Sequence, residues 1–167
     1  MIEKIEYSRT GKPLTELDYA LDNIMTGVII VTTMDDGKPY AMTAAWFSRT
    51  SNNPYSVMVS LSKNSCTHSH VNRSKNFAIN IIDGTQKKLA DFIGKNSGKN
   101  IQKFENIPYG VWKSGAPILE MHACTVIDCK VVDQMDAGDH TIFLGEVLEG
   151  QRLSGSEPYV YCRRDFL

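Results

Sequence analysis

The composition is that of an ordinary globular protein, and it excludes several classes of function. Of the 167 residues, 42% are hydrophobic and 22% are charged, and the formal net charge is −1. This balance provides no basic field for nucleic acid or an anionic membrane. No apolar run has the length of a membrane span, and MIEKIEYSRTGK lacks the apolar core of a signal peptide. We therefore expect one cytoplasmic domain over 1–167, with four cysteines kept as thiols.

The first predicted element is a helix over residues 14–25. Its apolar residues recur at helical spacing, at Leu14, Leu17, Leu21 and Ile24. Thr15 and Asp18 have the spacing of a capping box, and Gly27 is expected to end the helix.

Strands follow this helix in the first half of the chain. The β-branched run 28–33 and the stretch 41–48 flank Asp36-Gly37, a strong signal for a hairpin. Residues 55–61 alternate, with a predicted core face of Tyr55, Val57, Val59 and Leu61. A short helix over 67–74 and a strand over 76–82 are expected next.

The second half predicts a helix, a loop and further strands. Residues 83–94 read as a capped helix that stops at Gly94, and 95–104 as a polar loop that buries little, including a solvated Lys103. A long strand over 120–135 has the predicted inner face Ala123, Thr125, Ile127, Cys129 and Val131. After TIFLGEV (141–147), residues 158–166 form a last edge strand or turn. Six or seven strands at short spacing favour an antiparallel barrel.

Two Cys/His motifs could supply zinc ligands, namely Cys66, His68 and His70 in one, and His122 and Cys124 in the other. If 67–74 is helical, His68 and His70 point to different faces, so we predict no metal site. Cys66, at a predicted helix N-terminus, lacks an identifiable base and is interpreted as an ordinary thiol.

Two other patterns leave both a structural and a functional interpretation open. Residues 60–67 gather hydroxyl groups and one lysine between a strand and a helix, which suits either a helix cap or a phosphate site. Gly138-Asp139 before a buried strand indicates a turn, and His140 then stands at the edge of a sheet.

Several collinear stretches together resemble the flavin reductase-like family. They are TGVIIVTTMDDGKPYAMTAAWFSRTSNNPYSVMVSLSKNSCTH, NFAINI, a helix with Leu89 and Phe92, GAPILEMHACTVIDCKV and AGDHTIFLGEV. The resemblance runs from about Leu17 to Arg164. It implies a mainly β fold with inserted helices, the antiparallel, Greek-key-like FMN-binding split β-barrel.

The same resemblance implies an FMN site, with FAD as an alternative flavin. Its cofactor-binding residues would be Thr43, Ala44, Ala45, Trp46, Ser60, Leu61, Ser62, Lys63, Ser65, Cys66, Thr67 and Asn80. The stretch Thr43–Trp46 would follow the isoalloxazine ring, and Ser60–Thr67 would hold the phosphate and ribityl chain. Asn80 could equally make a structural hydrogen bond in its strand. Lys99 and Lys103 lie in a loop that could reach the flavin phosphate or a nicotinamide nucleotide, but we expect both lysines to be solvated.

His140 is the catalytic residue that the resemblance implies, as an orienting or electrostatic group beside the flavin. The chain lacks a G-x-G-x-x-G motif, so NAD(P)H would bind transiently over the flavin. The family also implies a homodimer, with an electron-acceptor protein or a monooxygenase as a further partner. The function that the resemblance implies is that of an NAD(P)H:flavin oxidoreductase, in which hydride passes from NAD(P)H to FMN and the reduced flavin passes electrons on. The alternatives are an electron-transfer flavoprotein that is reduced by a protein partner, a pyridoxamine phosphate oxidase-like enzyme and a non-catalytic barrel that could bind a metal.

Overall fold

The computed structural model describes residues 11–162. Its three α-helices are α1 (Glu16–Asp22), α2 (Cys66–Ser74) and α3 (Lys87–Lys95), with 3₁₀ turns at Gly84–Gln86 and Lys103–Glu105. The strands are β1 (Ile29–Asp35), β2 (Lys38–Ala44), β3 (Phe47–Asn52), β4 (Tyr55–Ser62), β5 (Asn76–Ile81), β6 (Gly110–Val111), β7 (Pro117–Ile118), β8 (Thr125–Ala137) and β9 (His140–Arg152). Within residues 11–162, no helix is long and apolar enough to cross a membrane.

The main sheet has seven antiparallel strands in the order β2-β1-β5-β8-β9-β4-β3. Its two edge strands, β2 and β3, are consecutive in the chain and are joined by Ala45 and Trp46 alone. Three Cα–Cα steps span at most about 11 Å, so the sheet must curl until its edges approach each other. The predicted mainly β, antiparallel fold is confirmed, and the sheet remains split, without full closure into a barrel.

The connection between β2 and β3 corrects one sequence prediction. A single strand over 41–48 is wrong, because the chain leaves one edge of the sheet at Ala44 and enters the other at Phe47. Trp46 stays bonded to the second edge, since its carbonyl accepts from the Ser60 N–H at 2.9 Å. The expected hairpin over Asp36-Gly37 is confirmed, and both residues have positive φ.

The core lies between the curled sheet and α2. Ile29, Val31, Val59, Leu61 and Phe77 are all fully buried in it. The predicted core face of β4 is confirmed for its three aliphatic residues, whereas Tyr55 is 61% exposed near the edge of the sheet.

The long strand β8 differs from its prediction in its start and its inner face. It begins at Thr125, and Val126 and Asp128 are fully buried while Thr125 and Ile127 are half-buried. The reason is that segment 110–118 covers the second face of the sheet, where Ser114 N–H donates to Asp128 Oδ2 at 2.8 Å. Both faces are therefore covered here, so simple alternation does not hold.

The helices also differ from prediction at their ends. α1 has the expected Thr15–Asp18 capping box, but it covers 16–22 and buries none of its side chains. Gly94 lies inside α3 and does not end it. Part of the predicted element 158–166 lies outside the described residues, and Val160 forms one antiparallel bridge with Gly27.

Candidate functional site

A cavity of about 360 Å³ opens where β2, β4 and β9 meet α3. Fourteen residues line it, namely Val28, Met42, Thr43, Ala44, Ala45, Trp46, Ser60, Ser62, Ala90, Asp91, Gly94, Lys95, His140 and Tyr161. Seven of these belong to the predicted site, which are Thr43, Ala44, Ala45, Trp46, Ser60, Ser62 and His140. The fold therefore brings residues of the edge strand β2 together with residues of β4 and β9, because the two edges of the sheet converge at Ala45-Trp46.

One side of the cavity is built by the sheet, and we call it the sheet wall; its residues are Thr43–Trp46, Ser60, Ser62 and His140. The stretch Thr43–Ala45 carries small side chains, so a flat ring can approach the backbone there. The Thr43 hydroxyl donates to the Ala90 carbonyl at 2.6 Å, which leaves its oxygen free to accept a further bond. The wall thus combines a smooth surface with neutral hydroxyl groups.

His140 begins β9, directly after the two-residue turn Gly138-Asp139. Gly138 has a φ of +78°, which explains why glycine stands there. Asp139 Oδ1 lies 2.7 Å from His140 Nδ1, and this hydrogen bond lowers the pKa of the Asp139 carboxyl. In the neutral imidazole, Nδ1–H donates to Asp139 and Nε2 remains as an acceptor.

The backbone around His140 is held by contacts from β4 and α2. Lys63 N–H donates to the Asp139 carbonyl at 3.0 Å, and the Lys63 ammonium pairs with Asp136. His68 Nε2 lies 2.8 Å from Thr141 Oγ1, and burial lowers the pKa of His68. Trp46 contacts the His140 ring, with centroids 4.6 Å apart. His140 is therefore a positioned side chain.

The opposite side of the cavity is built by α3, and we call it the helix wall; its residues are Ala90, Asp91, Gly94 and Lys95. None of these four residues is among the site residues that were predicted from the sequence. A Cβ on Gly94 would lie 3.3 Å from Thr43 Cβ, so glycine permits α3 to pack closely on β2. Asp91 and Lys95 have the four-residue spacing of an ordinary exposed ion pair on a helix. The sequence therefore contains no signal that these two residues line a cavity.

Lys103 lies behind the helix wall, and the expectation that it is solvated is wrong. Only 7% of the residue is exposed, and Nζ donates to the carbonyls of Ala41 at 2.8 Å and Ile93 at 2.7 Å. Burial lowers the Lys103 pKa to about 8. Its ammonium group ties β2 to the end of α3, which sets the distance between the two walls.

Six predicted site residues do not line the cavity, namely Leu61, Lys63, Ser65, Cys66, Thr67 and Asn80. Leu61 is a fully buried core residue, and Thr67 is buried on α2. Ser65 caps α2 through the His68 N–H at 3.1 Å. Asn80 is fully buried, donates to the Ile30 carbonyl at 3.1 Å and accepts from Leu119 N–H at 2.8 Å. Asn80 therefore makes structural hydrogen bonds within this fold, which was the alternative to a contact with the flavin.

The Cys/His motifs are dispersed over separate contacts. His70 Nδ1 lies 2.7 Å from Asp35 Oδ2, His122 Nδ1 lies 3.0 Å from Gln86 Oε1, and Cys124 Sγ donates to the Ile81 carbonyl at 3.3 Å. In the described part of the chain, no three His, Cys, Asp or Glu side chains are grouped so as to hold a metal ion.

The residues present fit a flavin. The cavity has the size of a small-molecule site, and the small residues of the sheet wall leave room for a planar ring. Gly94 adds space that a Cβ would fill. Ser60, Ser62, Asp91 and Lys95 offer hydroxyl, carboxylate and ammonium groups to a polyol chain with a terminal phosphate.

Comparisons with known proteins agree with this fit. The flavin reductase like domain matches residues 21–167. A ferric-chelate reductase (NAD(P)H) of Archaeoglobus fulgidus is 29% identical over 144 residues, covering 86% of this chain and 85% of that protein. The reductase component of a Rhodococcus opacus 4-nitrophenol 4-monooxygenase/4-nitrocatechol 2-monooxygenase is 30% identical over 168 residues, covering 99% and 88%.

A solved structure gives the same result for the fold. The NADH:FAD oxidoreductase of Streptomyces globisporus C-1027 is 28% identical to this chain, with a TM-score of 0.80 over 87% of this chain and 86% of that one. The chain therefore belongs to the flavin reductase-like family and is a flavin oxidoreductase.

Proposed function

We propose that the cavity binds FMN and that the chain catalyses its reduction by NAD(P)H. When bound between these walls, FMN would supply the acceptor for hydride from the nicotinamide and the store of electrons for a further acceptor. The observation that carries the proposal is the single cavity wall that is formed by Thr43–Trp46, Ser60, Ser62 and His140, which come from β2, the β2–β3 connection, β4 and β9. A cavity of about 360 Å³ is at the small end of the range for ligand sites, which favours a mononucleotide over FAD.

The sheet wall would orient the ring. Thr43, Ala44 and Ala45 bring backbone close to the ligand, and Trp46, which is 56% exposed, stands beside the cavity. Reacting atoms must approach to roughly 3–3.5 Å for hydride transfer, so a fixed ring position matters for the rate. His140 lines the cavity and is only partly exposed, so it would contact the flavin or the nicotinamide and orient them.

The experiment that tests the function is an anaerobic spectroscopic titration. FMN or FAD is added to the purified protein, the visible spectrum is recorded, and NADH and NADPH are then added in separate samples. A bound-flavin spectrum that bleaches supports the reductase and identifies the donor. Bound flavin that does not bleach would instead favour an electron-transfer protein reduced by a protein partner, and absence of flavin binding would refute the site.

The role of His140 is tested by His140→Ala. We expect flavin reduction to slow by roughly ten- to a hundredfold, because misplaced reactants lose proximity, while FMN affinity stays within a few-fold. Stopped-flow reduction and an FMN titration measure the two quantities. His122→Ala, a histidine outside the cavity, is the matched control and should leave both unchanged. Loss of FMN binding in His140→Ala would show a cofactor-binding role instead.

We also propose a homodimer. The apolar face of α1 and the following turn is uncovered, with Leu17 68%, Ile24 64% and Met25 81% exposed. This patch precedes Val28, which lines the cavity, so a second copy on it would lie close to the site. Light scattering would give a dimeric mass, and Leu17→Lys with Ile24→Lys should give a monomer.

The reduced flavin would serve an acceptor protein, such as a monooxygenase. The similarity to a monooxygenase reductase component supports this assignment of a partner class. Transfer of reduced flavin to a flavin-dependent monooxygenase, followed by product formation, is the corresponding measurement.

A further inference from the structure

One side chain of the helix wall has an unfilled hydrogen-bonding capacity. Asp91 lines the cavity, and its Oδ1 atom is enclosed by the protein without a hydrogen-bond partner. Among residues 11–162, it is the one buried side-chain nitrogen or oxygen atom in this condition. The nearest cation, Lys95 Nζ, is 3.8 Å away, which is too far for a hydrogen bond.

An enclosed carboxylate oxygen without a hydrogen-bond donor is unfavourable, because it has lost water and the Lys95 ammonium at 3.8 Å only partly compensates for that loss. Rotation about the terminal side-chain torsion of aspartate is soft, so either oxygen can turn toward the cavity. The Asp91 side chain is 28% exposed, whereas the side chain of Lys95, the last residue of the same helix, is 56% exposed. A donor placed in the cavity would therefore satisfy Asp91 more directly than Lys95 does.

We propose that Asp91 is a flavin-binding and specificity-determining residue that accepts a hydrogen bond from a neutral donor of the flavin; this rests on the proposed function. Two groups have that chemistry, a hydroxyl of the ribityl chain and the imide N–H of the ring. A phosphate is disfavoured in this place, because its charge of about −1.5 to −2 at pH 7 is repelled by the carboxylate. Lys95, four residues further along α3, is the lining residue that offers an ammonium group to the phosphate.

The test compares Asp91→Ala and Asp91→Asn with the unaltered protein, by fluorescence titration with riboflavin and with lumiflavin, which lacks the ribityl chain. Loss of a hydrogen bond to a charged acceptor predicts a roughly ten- to hundredfold weaker riboflavin affinity in Asp91→Ala and a smaller loss in Asp91→Asn. If lumiflavin affinity is unchanged, the donor is a ribityl hydroxyl. If it falls equally, the donor is the ring imide.

Glu149→Ala is the matched control, because Glu149 also forms a 3.8 Å ion pair, with Lys113, outside the cavity. Its riboflavin affinity should equal that of the unaltered protein. The proposal is overturned if both Asp91 variants bind riboflavin within about twofold of the unaltered protein, or if Glu149→Ala weakens binding equally. Should Asp91→Ala fail to fold, the isosteric Asp91→Asn decides alone. FMN is titrated in parallel, and if the unaltered protein binds none of the three flavins, the proposed function itself fails, and Asp91 has no flavin role.

Discussion

The two walls of the cavity differ in how they are built. The sheet wall consists of strand ends whose backbone is fixed by ladder hydrogen bonds, such as Ser60 against Ile142 and Ser62 against His140. The helix wall is one face of a nine-residue helix that is held to the sheet by side-chain contacts, from Thr43 to Ala90 and from Lys103 to Ile93. The sheet wall is mostly neutral, and the helix wall carries the opposed charges of Asp91 and Lys95.

This difference separates two tasks within one site. The sheet wall can give shape and fixed backbone, because its strands are held by ladder hydrogen bonds and because Thr43, Ala44 and Ala45 have small side chains. A helix face can give charge, because long side chains project from it at three- and four-residue spacing. Perturbing the sheet wall should therefore change stability first, and perturbing the helix wall should change ligand affinity first.

The largest expected effect tests the support of the sheet wall. In Gly145→Ala, the new Cβ would overlap Phe77 Cζ and would lie 2.9 Å from Cys129 Cβ. Such crowding in the core should cost about 3 kcal/mol in the free energy of unfolding, measured by urea denaturation. Gly150→Ala on the same strand is the control, since its closest contact would be an ordinary 3.6 Å. Equal stability of the two variants would show that β9 shifts easily.

An intermediate effect is expected for the lysine that joins the two walls. Lys103→Met leaves the Ala41 and Ile93 carbonyls without their donor and should lower the free energy of unfolding by about 2 kcal/mol at pH 7. The exposed Lys99 provides the control variant, Lys99→Met, which should change little.

The lowered pKa of Lys103 also predicts how the stability of the unaltered protein depends on pH, relative to Lys103→Met. Folded Lys103 has a pKa of about 8, below the unfolded value of 10.5, so the unfolded chain binds more protons between these two values. The Lys103 contribution to stability therefore rises with pH from about 8 to 10.5 and is constant below that window. Urea titrations at several pH values should show this rise in the unaltered protein relative to Lys103→Met, and equal slopes would contradict the buried charge.

The smallest effect on stability is expected in the helix wall. Gly94→Ala places a Cβ 3.3 Å from Thr43 Cβ, and the crowding is offset by a helix propensity gain of up to about 1 kcal/mol. We expect the free energy of unfolding to change by less than about 1 kcal/mol, while FMN affinity falls several-fold because the cavity narrows. Calorimetry measures the change in stability, and a flavin titration measures FMN affinity. Gly155→Ala is the control, because its new Cβ would meet no atom within 4 Å. A large loss of stability in Gly94→Ala with unchanged FMN affinity would contradict the assignment of ligand binding to the helix wall.

The sequence carried enough information for most strands of the main sheet and for the sheet wall. Alternation in β4, the turn residues Asp36-Gly37 and the turn before His140 are local signals, because side-chain direction in a strand and positive φ in a turn depend on few neighbours. The resemblance to the flavin reductase-like family rests on such local stretches, and it placed Thr43–Trp46, Ser60, Ser62 and His140 together.

The tertiary structure decided what local signals do not contain. The surroundings of a residue depend on which distant segment packs against it. This decides whether Lys103 is solvated or buried, whether Asn80 faces a ligand or a strand, and whether Asp91 lies at a surface or in a cavity. The same holds for the split of 41–48 into two strands, which follows from the curl of the whole sheet. Residue type and spacing determine how the backbone runs locally, whereas burial and charge environment arise when remote elements meet.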